Sequence, residues 1–102
     1  MDQKEKHQLM FAQLIAIFQT AALQNMGKIK NPITDKVEQD LAQAQVAIDM
    51  LEMVQDRMKG NLSPEEEKIL STVLQDLRLN YVDEVMKAQA TAPQNVNTTT
   101  PQ

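Results

Sequence analysis

The chain has 102 residues, 42% of them hydrophobic and 24% charged, with a formal net charge of -4. That length holds one small domain, and the absence of cysteine excludes disulfides, thiolate metal sites and thiol nucleophiles. The acidic balance disfavours nucleic acid, whose binding begins with a concentrated basic face.

The first apolar segment predicts a helix over about 3–26, stopped by Gly27. Its apolar residues fall in two adjacent rows, 10-14-17-21 and 11-15-18-22, which make a wide face rather than a narrow stripe. From His7 to Gly27 there is no formal charge, and lysines stand on either side at 4, 6, 28 and 30. The span is close to the roughly 20 residues that cross a bilayer. Gln8, Gln13, Gln19, Thr20, Gln24 and Asn25 interrupt it, however, and hydrocarbon penalises each of those side chains. A secretory signal fits poorly as well, because Asp2 and Glu5 offset the early lysines and no small-x-small cleavage site follows. A cytoplasmic protein is the expectation.

The linker "GKIKNPITD" supplies Gly27 as a stop and Pro32 as a breaker, with Thr34 or Asp35 as the cap of a second helix over about 35–58. Its stripe is Val37, Leu41, Ala44, Ile48, Leu51 and Met58, widened by Val46, Met50, Met53 and Val54. A third helix is expected over about 64–87, on a row of Leu70, Leu74, Leu77, Tyr81 and Val85 flanked by Ile69, Val73 and Val82. Residues 88–102, "AQATAPQNVNTTTPQ", offer little to bury and read as a disordered tail. Short connections place neighbouring helices antiparallel. The fold class is therefore all-α: an antiparallel three-helix bundle or helical-hairpin arrangement, expected to dimerise.

The densest local instruction lies in "RMKGNLSPEEEKIL". Gly60 can take the left-handed conformation that closes a helix, and Leu62 plugs the gap between helices. Ser63 caps the next helix with Pro64 at its first position, and Glu66 completes a capping box. Asn61 alone has no clear structural duty, although asparagine tolerates turn geometry well. The three glutamates face the positive end of the helix dipole.

Four stretches, "FAQLIAIFQTAALQNMG", "DLAQAQVAIDMLEM", "KGNLSPEEEKIL" and "LQDLRLNYV", carry a family resemblance. In this order, over Phe11 to Val82, they make the chain resemble a bacterial family known as a domain of unknown function, number eighteen forty-four. The resemblance departs at Arg57-Met58, where the family commonly has a lysine-threonine pair. It implies no catalytic residue and no ligand residue.

Catalysis is poorly supplied by the residues themselves. His7 is the lone histidine and sits near a terminus; the serines are Ser63, already a cap, and Ser71. No phosphate loop, zinc spacing or calcium loop occurs, so no enzyme, cofactor or metal is expected. Asp49 and Arg78 each stand between apolar neighbours, and pairing about the Gly60 turn brings them within one to two turns. A contact between them would fix helix register; the alternative is two boundary residues with solvated heads. Met50, Met53 and Met58 could line an adaptable groove, although ordinary core filling is the preferred reading.

Two companions cannot cover both rows of the first helix. Met10, Phe11, Leu14, Ile15, Ile17, Phe18, Ala21 and Ala22 are therefore expected to form a homodimer interface. The function that follows is a protein-interaction or assembly module, its partner a second copy or an unidentified protein. The alternative is a peripheral membrane-associated accessory protein that uses the uncharged first helix.

Overall fold

A computed structural model of the chain describes residues 1–91. Three helices follow one another: α1 (Gln3–Met26), α2 (Leu41–Arg57) and α3 (Pro64–Thr91). Among the described residues no strand forms; an isolated bridge joins Asn31 and Lys36 inside the first linker.

Both ends of α1 are closed by local chemistry. The Asp2 carboxylate accepts from the Glu5 N–H at 2.8 Å, and the Glu5 side chain accepts from the Asp2 N–H at 3.2 Å. These reciprocal bonds satisfy donors that the helix itself leaves orphaned. At the other end Gly27 adopts φ 85, which only glycine takes without strain. That turn lets the Gly27 and Lys28 N–H groups donate to the carbonyls of Gln24 and Leu23, at 3.0 and 2.9 Å.

The second helix begins at Leu41, six residues later than the pattern suggests, and ends at Arg57. Its cap is Asp40, whose carboxylate accepts from the Gln43 N–H at 3.1 Å, rather than Thr34 or Asp35. Turn chemistry outcompetes the apolar spacing here. The Asn31 side chain accepts from the Ile33 N–H at 2.9 Å, Asp35 takes φ 57, and the Asn31 N–H donates to the Lys36 carbonyl at 2.9 Å. The chain then runs back past the end of α1. There the Asp40 N–H reaches the Asn25 carbonyl at 2.7 Å, and the Gln39 amide reaches the Met26 carbonyl at 2.9 Å. Terminal carbonyls of α1 thereby gain donors. Val37, expected on the core stripe, is left exposed.

The turn into α3 follows its sequence instructions. Gly60 has φ 83 with open space around its Cα, and Asn61 donates its N–H to the Met58 carbonyl at 2.9 Å. Ser63 Oγ accepts from the Glu66 N–H at 3.2 Å while Glu66 accepts from the Ser63 N–H at 2.9 Å. The capping box is complete. Leu62 packs against the core as expected. Helix α3 continues past residue 87 to Thr91, so the first residues of the expected tail are helical; 92–102 lie outside the described residues.

Packing runs up, down, up. Across α2 and α3, Gln55 bonds Ser71 and Glu52 bonds Arg78, so one numbering falls as the other rises. Lys28, just past α1, reaches Asp83 and Glu84 near the end of α3. Helices α1 and α3 are therefore parallel to each other and antiparallel to α2. The core is Ile15, Ala22 and Met26 from α1, Ala44, Ala47, Ile48 and Leu51 from α2, and Leu70, Leu74 and Leu77 from α3. Phe11, Phe18, Leu23, Val54, Val73 and Tyr81 seal its margins. Buried alanines at 22, 44 and 47 bring the α1 and α2 backbones close.

Candidate functional site

The two apolar rows of α1 have different fates. Row 11-15-18-22 turns inward: Ile15 is 2% exposed and Ala22 is fully buried, with Phe11 and Phe18 packed beside them. Those four residues leave the expected interface, because α2 and α3 together bury Ile15 and Ala22 and partly cover Phe11 and Phe18. Row 10-14-17-21 points outward, with Met10, Leu14 and Ile17 exposed and Ala21 half-buried at its end. Ile17, at 64%, is the most open of them.

Helix α2 repeats the arrangement. Its inward residues include Ala47, Leu51 and Val54, and one position before each stands Val46, Met50 or Met53, all exposed. Met50 and Met53 do not fill the core, contrary to the preferred sequence reading; only Met58 is half-buried. The signal was in the spacing. Positions 46, 50 and 53 step by four and three, as 10, 14 and 17 do, and each set precedes a core row by one residue.

These two outward rows lie on the same side of the bundle. Gln3 and His7 line a cleft that reaches Met58 beyond α2, whereas the cleft beside Glu65 and Ile69 of α3 is lined from α1 by Lys4 and Gln8, one position later, which puts α3 on the later flank of the α1 inner face. Glu52 and Gln55, which bond α3, likewise lie on the later flank of the α2 core row. Both exposed rows occupy the earlier flank, away from α3. The Asp40–Asn25 bond fixes the antiparallel register of α1 and α2. Carried along the pair, it sets Leu14, Ile17 and Ala21 about level with Met53, Met50 and Val46. The result is one apolar strip across two helices, with Asp49 on its α2 edge.

Other expected sites resolve differently. Arg78 pairs with Glu52, with Nη2 and Nε at 2.6 and 3.0 Å from the same carboxylate oxygen, and Asp49 instead accepts from the Gln45 amide at 2.8 Å. The reason is geometric. Side chains lean toward the start of their own helix, so in an antiparallel pair Arg78 reaches toward the turn, away from Asp49 and toward Glu52. Both partners are exposed or nearly so, and the pair contributes little.

At the turn end an open cleft of about 860 Å³ is lined by His7, Phe11, Met58, Asn61 and Leu62, among others. Ser63 and Glu66 on its wall are committed to each other, and His7 Nε2 lies 2.8 Å from the Gln3 amide. Among the described residues no group of three or more His, Cys, Asp or Glu could hold a metal ion.

The opposite end carries an ion-pair network that went unread in the sequence. Lys28 Nζ lies 2.8 Å from Glu84 and 3.1 Å from Asp83, and Lys87 lies 3.1 Å from Asp83 and 3.4 Å from Glu84. Hydrogen bonds to Glu84 and then Asp83 raise the Lys28 pKa, and those from Lys28 hold both carboxyls below their ordinary range. Lys87 is raised chiefly by Asp83. Glu84 also accepts from the Gln39 amide at 3.2 Å, which ties linker, α1 and α3 together. Only the fold brings residues 55 positions apart into contact.

Fold and surface together define a small up-down-up helical bundle with an exposed apolar strip across α1 and α2. The chain belongs to the family described as Domain of unknown function (DUF1844), whose model matches residues 8–83. The match takes in most of α1, all of α2 and most of α3. No curated protein and no solved structure matches the chain.

Proposed function

We propose that this protein is a cytoplasmic interaction or assembly module with no catalytic activity of its own, which docks through the exposed apolar row of α1. The observation that carries the reading is the openness of Met10, Leu14 and Ile17, a row with no formal charge between His7 and Gly27. Exposed apolar patches of this kind on a small protein are often functional. The polar groups support the same reading, since Ser63 is a cap, Ser71 accepts from the Gln55 amide and His7 stands exposed beside Gln3. Ser63 and the neighbouring acid Glu66 are committed to each other's backbone N–H groups, which is a capping arrangement and not that of a nucleophile and its base.

The test is gel filtration of a detergent-free extract from cells that carry an end-tagged copy. The expected result is elution above the 11.5 kDa of one chain, and a return to that size for Ile17→Lys. Elution of both proteins at the single-chain size would remove the proposal.

A second reading, a membrane-associated accessory protein, draws on α1 being long and apolar enough to cross a bilayer by length and composition. Against it, Ile15, Ala22 and Met26 of the same helix belong to the core. Insertion would withdraw them from α2 and α3. Sedimentation with liposomes is the outcome that would favour this second reading.

A further inference from the structure

From the geometry we infer that the occupant of the α1–α2 strip is a second copy of this chain, packed strip against strip, with α2 contributing as much as α1. The inference rests on the docking role proposed above and names the partner.

Three observations carry it. First, the strip suits its own image. In a two-fold contact each surface meets itself, so charges near the axis would meet charges of the same sign. Here the side chains in the middle are Leu14, Ile17, Met50 and Met53, and formal charge stands at the margins, with Arg57 at one end and Asp49, held by the Gln45 amide, along the outer edge of α2. A dissimilar protein partner would ordinarily find complementary charge for steering and register, and the middle of the strip offers none.

Second, the two rows have the same phase. Steps of four and three on each helix are the spacing of a coiled-coil seam. Two level seams on antiparallel helices, meeting an identical pair, complete a four-helix layer of the kind seen in bundles. A membrane surface would ask for no such matching of rows.

Third, the area suffices. The exposed parts of Met10, Leu14, Ile17, Val46, Met50 and Met53 leave on the order of 500 Å² of apolar surface in water. The alanines, glutamines and threonine around them bring the strip toward the roughly 800 Å² per partner of a stable interface. A domain of this size also gains from such cover, because only ten of the described residues are buried in its core.

Sedimentation velocity on the purified full chain, at concentrations from one to about a hundred micromolar, decides the matter. The wild type should sediment at twice 11.5 kDa. Ile17→Arg and Met50→Arg should each halve the mass, while Leu79→Arg, on the exposed outer face of α3, should leave it unchanged. Far-UV circular dichroism melts confirm that each variant folds, as expected for exposed positions. A wild-type chain that stays single throughout the range would overturn the inference, as would a dimer that survives Met50→Arg or is lost with Leu79→Arg. A single chain that instead pellets with neutral phosphatidylcholine vesicles would replace the second copy with a lipid surface. If the purified chain is single but the extract still shows a larger, Ile17-dependent species, the second copy is excluded and the docking role survives. If both are single, both proposals fall.

Discussion

Ile15 and Ile17 sit two residues apart on one helix, equally apolar, and the bundle treats them in opposite ways. Ile15 is 2% exposed in a core built by all three helices; Ile17 is 64% exposed and faces away from α3. The same division runs through the molecule. Leu51 is fully buried while Met50 beside it stands open, and the half-buried Ser63–Glu66 box contrasts with the exposed Glu52–Arg78 pair. What a residue contributes to this protein depends on its cover more than on its chemical type.

Measurements can press on that contrast, beginning with the largest effect. Ile15→Ala should lower unfolding stability by about 2–5 kcal/mol, the cost of lost burial plus the cavity left behind. Ile17→Ala, measured by urea unfolding at submicromolar concentration, should stay within about 0.5 kcal/mol of the wild type. Equal losses at the two positions would break the comparison. Ser63→Ala removes the half-buried cap and should cost about 1 kcal/mol, read from the same transitions.

Acid gives a smaller signal with a definite sign. The carboxyls of Asp83 and Glu84 have lowered pKa values in the fold, so their contribution is present above the ordinary carboxylate range and is lost as pH falls through the folded values. Lys28 is raised, so its contribution holds below the ordinary lysine range and is lost only as pH rises past its folded value. Thermal melts at pH 7 and about pH 3 should therefore show a drop in Tm that is smaller for Lys28→Met than for the wild type. Identical drops would mean that the network adds nothing to the fold. Smallest of all, a double-mutant cycle on Glu52→Gln and Arg78→Met should return a coupling of about 0.2–1 kcal/mol. Asp49→Asn combined with Arg78→Met should return none.

Much of this architecture was legible before any coordinate. The bounds of α1, the stop at Gly27, the Gly60 turn, the Ser63–Glu66 box and the Leu70-Leu74-Leu77 row all follow from local rules, because each needs only neighbours within a few residues. The start of α2 was hidden because Thr34 and Asp35 mimic a cap, while the donors that α1 needed came from Gln39 and Asp40. The inward row of α1 was hidden for another reason. Its two rows differ by 100° of rotation and hardly at all in hydrophobicity, so only the positions of α2 and α3 choose between them. Half of the strip was missed because Met50 and Met53 read as filler. The partner of Arg78 was missed because levels were counted between backbones, and the lean of side chains was left out.

The return of residues 39 and 40 along the end of α1 constrains how copies of this chain can associate. Three-helix bundles with a long first connection can trade their leading helix between subunits, since the connecting segment acts as a hinge. Here that hinge is latched: the Gln39 amide and the Asp40 N–H grip α1, and Lys28 bolts the same corner to α3. Swinging α1 outward would break all of these links at once and strip the cover from Ile15 and Met26. Subunits should thus meet as finished bundles, surface to surface, and an exchanged-helix dimer should form only from unfolded chains.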